Sequence, residues 1–196
     1  MTTQLDKERI AALVREDVKA YDEVMGLDPV FAAGRCLQHA TFGIKRLLEA
    51  GRKDVLLQAG SMSWPVVDVK DDDGKSPTHF TFQWTDDDCL PTLMMLKDRK
   101  HDDPVRLPEI HVWIGLKDSG EVVDFSTYDL PRICESVTGG QVKWRGALPP
   151  DFIWSPLLPD RVIYEAIPLA CQCAMQLLMA MLESYREKLK LRGAMA

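Results

Sequence analysis

The sequence predicts an α+β fold, with helices at both ends and an antiparallel sheet between them. Three observations carry this. Two amphipathic helical segments come first. The apolar period then shortens to that of strands joined by tight turns, and one long apolar helix closes the chain. Helices and strands are segregated rather than alternating, which argues against a parallel βαβ sheet. Neither G-x-G-x-x-G nor a P-loop occurs, so no phosphate-cradling glycine turn is expected.

Residues 4 to 25 read as the first helix. Ile10, Leu13, Val14, Val18 and Tyr21 form one apolar stripe, Thr3 is placed to cap it and Gly26 to end it. Asp28 and Pro29 mark a turn. A second helix starts near Cys36 and runs to Ala50, burying Leu37, Ala40, Ile44, Leu47 and Leu48, with Gly51 as a left-handed stop. Residues 55 to 60 read as a buried strand and 63 to 69 as another or its continuation. Asp71, Asp72, Asp73 and Gly74 make a turn, after which 79 to 84 alternate and pair back. Residues 85 to 108 form a charged, proline-bearing excursion around a short apolar patch at 93 to 96. Residues 109 to 116 and 120 to 126 read as two strands joined through Lys117-Asp118-Ser119-Gly120, a hairpin signal. Residues 131 to 160 look irregular, 161 to 167 suggest a short strand, and a helix follows from Pro168 to about Leu191.

The 196 residues fit a single domain, with an N-terminal helix (1–26), a central core (34–127) and a C-terminal helix (168–192). A formal charge of −6 argues against nucleic acid or an anionic membrane as the main partner. The five cysteines, at 36, 89, 134, 171 and 173, are odd in number and scattered. Residues 1 to 8 are polar and charged rather than signal-like, so reduced thiols and a cytoplasmic location are expected. The apolar stretch from Ala166 to Leu182 contains Pro168, Gln172 and Gln176 and reads as a buried helix rather than a membrane span.

Three residues stand in settings that suit a cysteine nucleophile. Cys36 opens the second helix, where unpaired N–H groups and partial positive charge favour a thiolate and can hold an oxyanion. A cysteine there also serves simply as a small buried hydrophobe. His111 opens a strand in which Val112, Ile114 and Leu116 alternate to the other face. Asp124 is embedded in Val122-Val123-Asp124-Phe125, although aspartate is disfavoured in strands and a buried carboxylate needs a partner. The hairpin places positions 111 and 124 opposite or diagonal to each other, within hydrogen-bond reach. Contact with Cys36 is long-range, and local spacing does not establish it.

Together, Gly34-Arg35-Cys36, His111-Val112-Trp113-Ile114 and Gly120-Glu121-Val122-Val123-Asp124-Phe125-Ser126 give the chain a family likeness over residues 34 to 127. It resembles the transglutaminase-like branch of the papain-like cysteine-enzyme superfamily. There a cysteine begins a helix, a His-x-Trp strand follows, and a strand ending in aspartate completes the triad. The resemblance implies a papain-like fold with the nucleophile at a helix N-terminus packed on the sheet. It implies Cys36 as nucleophile, His111 as general base and acid, and Asp124 as the group that orients the imidazole. The implied chemistry is hydrolysis, deamidation or acyl transfer on a peptide, protein or small amide or ester, through a thioester and without a cofactor. The nucleophile-to-base spacing of 111 − 36 = 75 residues is long, and the arginine-glycine-glycine approach of arylamine acetyltransferases is absent. A non-catalytic binding or assembly protein keeping the same fold is the competing expectation.

Trp64 and Trp113 are candidates to line a substrate groove, although tryptophans at such positions also serve as core. Cys36-x-x-His39 has a metal-ligand spacing and Cys171 and Cys173 could add thiols, but residues two apart on a helix point about 200° apart, so no metal is expected. The acidic clusters at 71 to 73, 86 to 88 and 101 to 103 lack calcium-loop spacing and read as solvated loops. Met175, Met179 and Met181 mark the C-terminal helix for packing or for self-association into a homo-oligomer.

Overall fold

The structure is a computed structural model that describes residues 3–27, 35–68, 77–82, 110–140, 142–145 and 148–193. Several of the expectations above fall outside these residues: the turns at 28–29 and 71–74, the excursion over 85–108 with its acidic clusters and Cys89, and Gly34.

Helix α1 (Gln4–Met25) begins with a reciprocal capping box between Thr3 and Asp6 and ends on Gly26 in the left-handed conformation. Helix α2 (Cys36–Glu49) follows. Strand β1 (Val55–Asp68) is one continuous 14-residue strand rather than two, because Pro65 stays in register opposite His79. Strands β2 (Pro77–Phe82), β3 (His111–Leu116) and β4 (Glu121–Asp124) come next. A short 3-10 turn, Thr127–Asp129, leads into helix α3 (Leu130–Thr138). Strands β5 (Val142–Trp144), β6 (Ile153–Ser155) and β7 (Ile163–Ala166) and helix α4 (Pro168–Gly193) complete the order.

Three of these elements, α3, β5 and β6, correct the sequence expectation of an irregular stretch over 131 to 160. Helix α3 forms because Pro131 suits a first helical turn and Leu130 and Cys134, four residues apart, both reach the core. Strand β6 is only three residues long and exists through its antiparallel pairing with β4.

The described strands form one seven-stranded sheet with β1 as its axis. Strand β3 pairs with residues 55–60 of β1 and β2 with 62–67. Strand β7 pairs with 60–63 and therefore shares β1 positions with both β3 and β2. A strand has two edges, so β2 and β3 lie end to end along one edge of β1 while β7 lies along the other. Strand β4 extends the sheet beyond β3, and β6 beyond β4.

Each face of the sheet carries its own core. On one face α1, α2 and α4 bury Val14, Val18, Leu47, Ala170, Cys173 and Leu177 against Val112, Ile114 and Leu116. On the other, Leu130 and Cys134 of α3 close over Met62, Trp64, Val66 and Phe80. Among the described residues no helix is long and apolar enough to cross a membrane.

Two glycines permit the contacts that position the site. A Cβ on Gly43 of α2 would sit 2.7 Å from the Ile114 side chain and 2.8 Å from the Phe125 ring. The missing side chain lets α2 lie tightly on β3, and Cys36 stands seven residues earlier on that same face. A Cβ on Gly60 would collide with the Glu165 carbonyl, so only glycine lets β7 cross β1 at the position paired with His111.

Candidate active site

The hairpin register pairs Ile114 with Val123 and Leu116 with Glu121. Continued by one step, it sets Asp124 across from Trp113 and diagonal to His111. The diagonal closes: His111 Nε2 lies 2.7 Å from Asp124 Oδ2, with both residues 2% exposed.

Asp124 is held by four donors. Its Oδ2 accepts from the Tyr164 hydroxyl at 2.7 Å as well as from His111. Its Oδ1 accepts from the Ser126 backbone N–H at 2.8 Å and the Ser126 hydroxyl at 2.7 Å. Burial by itself pushes the carboxyl group up, and it is the largest single influence. The His111 charge and the donors together outweigh it, so the carboxylate stays ionised below the usual aspartate range.

His111 shows the complementary balance. Burial acts to drive its proton off, yet the Asp124 carboxylate and the Cys36 sulfur together raise its proton affinity to about 10. The imidazole is boxed by Phe82 at 5.4 Å, Tyr164 at 5.6 Å and Trp113 at 6.1 Å between ring centroids. This aromatic box keeps the low-dielectric surroundings in which a charge pair is strong.

Cys36 begins α2 and is 9% exposed. Its sulfur lies within hydrogen-bonding range of the His111 ring and contributes to the raised proton affinity there. Nε2 is committed to Asp124, so Nδ1 is the ring nitrogen left to face the sulfur. Cys36 Sγ also lies 3.5 Å from the Ile110 carbonyl, which can accept from an S–H. Arg35, at the N-cap, supplies no side-chain cap to the helix, which leaves the first-turn N–H groups without that partner. The Arg35 side chain instead forms a buried ion pair with Asp22. The three residues singled out from the sequence thus stand together where the start of α2 meets β3 and β4, with His111 opposite the middle of β1.

Beside the sulfur is a cavity of about 20 Å³, lined by Cys36, His111, Phe82, Leu130 and Ile133 among others. That is room for roughly one water. Neither Trp64 nor Trp113 lines it; Trp64 lines a separate cleft of about 520 Å³ with Pro65, Arg145 and Arg161. Trp113 is 2% exposed and donates from Nε1 to Gln58 Oε1 at 2.8 Å. Trp64 is buried in the opposite core, where its ring meets Trp144 edge-on.

His39, the other half of the Cys-x-x-His spacing, uses both ring nitrogens elsewhere. Nδ1 lies 2.9 Å from the Arg35 carbonyl and must donate to it. Nε2 is then the acceptor for the Tyr128 hydroxyl at 3.0 Å. Among the described residues no three His, Cys, Asp or Glu side chains converge as a metal site.

Tyr164 and Ser126 are the site residues that sequence reasoning did not single out. Ser126 had a local signal, since a hydroxyl two residues after an aspartate can fold back on its carboxylate. Tyr164 had none: it lies 40 residues from Asp124 and arrives through the β1–β7 pairing. In comparisons with known proteins, no family model, no curated protein and no solved structure matches this chain.

Proposed function

We propose that the protein is a cysteine-nucleophile hydrolase or acyltransferase, acting on an amide or ester through a thioester, with a papain-like, transglutaminase-like arrangement. The observation that carries this reading is the buried His111–Asp124 pair at 2.7 Å with the Cys36 sulfur facing the same imidazole. A thiol, a base and a carboxylate that orients the base are the working parts of nucleophilic acyl chemistry.

In this mechanism the proton of Cys36 resides on His111, whose charge Asp124 neutralises. The thiolate attacks the carbonyl carbon, and the oxygen takes up the negative charge. First-turn N–H groups of α2 would hold that oxyanion. His111 returns its proton from Nδ1 to the departing amine or alkoxide as the C–N or C–O bond breaks, leaving a thioester on Cys36. His111 then takes a proton from an incoming water, amine or alcohol, which attacks the thioester. The Cys36–carbon bond breaks, and the sulfur leaves as a thiolate beside the re-formed imidazolium.

The reading is tested by labelling with iodoacetamide at pH 7, followed residue by residue by mass spectrometry. Cys171 is less buried than Cys36. Accessibility alone therefore predicts that Cys171 reacts first, whereas an activated Cys36 reacts at least tenfold faster than Cys171. Cys36→Ala is expected to abolish turnover of any amide or ester substrate found, and undiminished turnover would defeat the proposal.

One observation favours a second reading, a binding or assembly protein that keeps the fold without the chemistry. The cavity at Cys36 has room for about one water, too little for an acyl group. Equal labelling of Cys36 and Cys171 would support that reading.

A further inference from the structure

The geometry points to Tyr164 as a positioning residue of this site, one that shares Asp124 Oδ2 with His111 and thereby keeps the proton on the imidazole. This inference rests on the proposed role of the Cys36–His111–Asp124 group.

Tyr164 belongs to β7, and Asp124 to β4. Three strand steps separate them, from β7 to β1, to β3 and to β4. On a flat sheet three steps are about 14 Å, farther than a tyrosine side chain reaches. The hydroxyl nevertheless stands 2.7 Å from Oδ2, so the sheet curls enough to bring the two together. Glycine at position 60 permits the close crossing of β7 that the curl requires.

The chemistry follows from counting donors. His111 and Tyr164 fill Oδ2, and the Ser126 N–H and hydroxyl fill Oδ1. A carboxylate offers about four acceptor sites, and all are taken. In dry surroundings a His–Asp pair can hold its proton on either partner. Each donor to the carboxylate favours the charged arrangement, and a neutral carboxylic acid would forfeit it. Tyr164 remains a donor throughout, because burial and the Asp124 charge hold its hydroxyl protonated. Among the described residues, the other titratable groups that bear on this carboxylate and its partners are Cys36 and His39, both on α2. Neither donates to Asp124; its four donors come from His111, Tyr164 and Ser126.

Tyr164→Phe removes the hydroxyl and little else. The ring would still pack on His111 and Trp113, whose centroids lie 5.6 and 5.2 Å away. The readout is the ¹⁵N NMR signature of His111, which separates imidazolium from neutral imidazole, followed as pH is raised from 7. The native chain is expected to lose the imidazolium near 10, and the variant about one pH unit lower, the scale of one hydrogen bond to a charged group. The alkaline limb of Cys36 alkylation should move down with it. Ser126→Ala removes a donor to the other oxygen and is expected to shift His111 in the same direction, which covers the case where Tyr164→Phe fails to fold. A native His111 that is already neutral at pH 7, or a titration unchanged in every variant that folds, would overturn the inference. If native Cys36 proves no more reactive than Cys171, the proposed function fails instead, and the His111 spectra still decide the role of Tyr164.

Discussion

Two histidines in this protein are equally buried and behave in opposite ways. His39 is 1% exposed and His111 is 2% exposed. Burial drives the His39 proton off, and its partners, the Arg35 carbonyl and the Tyr128 hydroxyl, are neutral and do not reverse this. Burial presses on His111 in the same way, yet the carboxylate touching Nε2 and the sulfur beside the ring lift its proton affinity to about 10. The comparison teaches that depth does not decide a histidine's charge. The charge of its partner does, and low dielectric magnifies whichever partner is present.

Asp124→Asn breaks the comparison most severely. With the charge gone, burial dominates at His111 as it does at His39, and the imidazole becomes neutral at pH 7. Cys36 alkylation and any acyl transfer should fall on the order of a thousandfold or more, as when the aspartate of a catalytic triad is replaced. The basic limb of the pH–reactivity profile, set by loss of the His111 proton near 10, should move down by several units. A variant with native reactivity and an unmoved limb would show that Asp124 does not govern His111.

Gly43→Ala sharpens the comparison by moving α2, which carries both His39 and Cys36. The new Cβ would press on Ile114 and Phe125. Overpacking of this kind costs about 1–3 kcal/mol, readable as a lowered denaturant midpoint. Cys36 alkylation should slow as well, because the helix start is pushed from β3. Unchanged stability would show that the contact relaxes freely.

The smallest effect is the pH dependence of folding stability. His39 has a folded proton affinity below that of the unfolded chain, so the unfolded state binds more protons as pH falls through about 6.5, and stability declines there. His111 acts with the opposite sign: its contribution is complete below about 6.5 and is lost as pH rises through about 10. Asp124 contributes above its ordinary value of 3.8 and loses this as pH falls through about 2. His39→Gln should therefore flatten the stability curve between pH 5 and 7 and leave the alkaline limb in place. A curve as steep as the native one would remove His39 from this account.

What the sequence made legible follows the range of the interactions. Helix α1, helix α2 and the β3–β4 hairpin are local, and each follows from periodicity, caps or turn residues. The His111–Asp124 contact belongs to that hairpin and was equally readable. Helix α3 was hidden because its buried stripe consists of Leu130 and Cys134 alone. Strand β6 was hidden because three residues carry no period. Tyr164 was hidden because its partner lies three strands away, and Gly43 because close helix–sheet packing leaves no signature beyond an ordinary helical glycine. The two tryptophans carry the opposite ambiguity: large aromatic rings near a site serve a core as readily as a groove, and both are buried.

The long β1 strand has a consequence for how the molecule is made. Among the described strands four others pair with it, and one of them, β7, is recruited from about a hundred residues downstream. Such distant pairings form slowly, since the chain must close a large loop before it gains the contact. During synthesis the histidine and its carboxylate can meet early, while one long margin of the central strand waits open for its last occupants. A chain halted before residue 142 would lack both β5 and β7 and expose that margin to any neighbouring strand, and intermolecular association would be the expected fate.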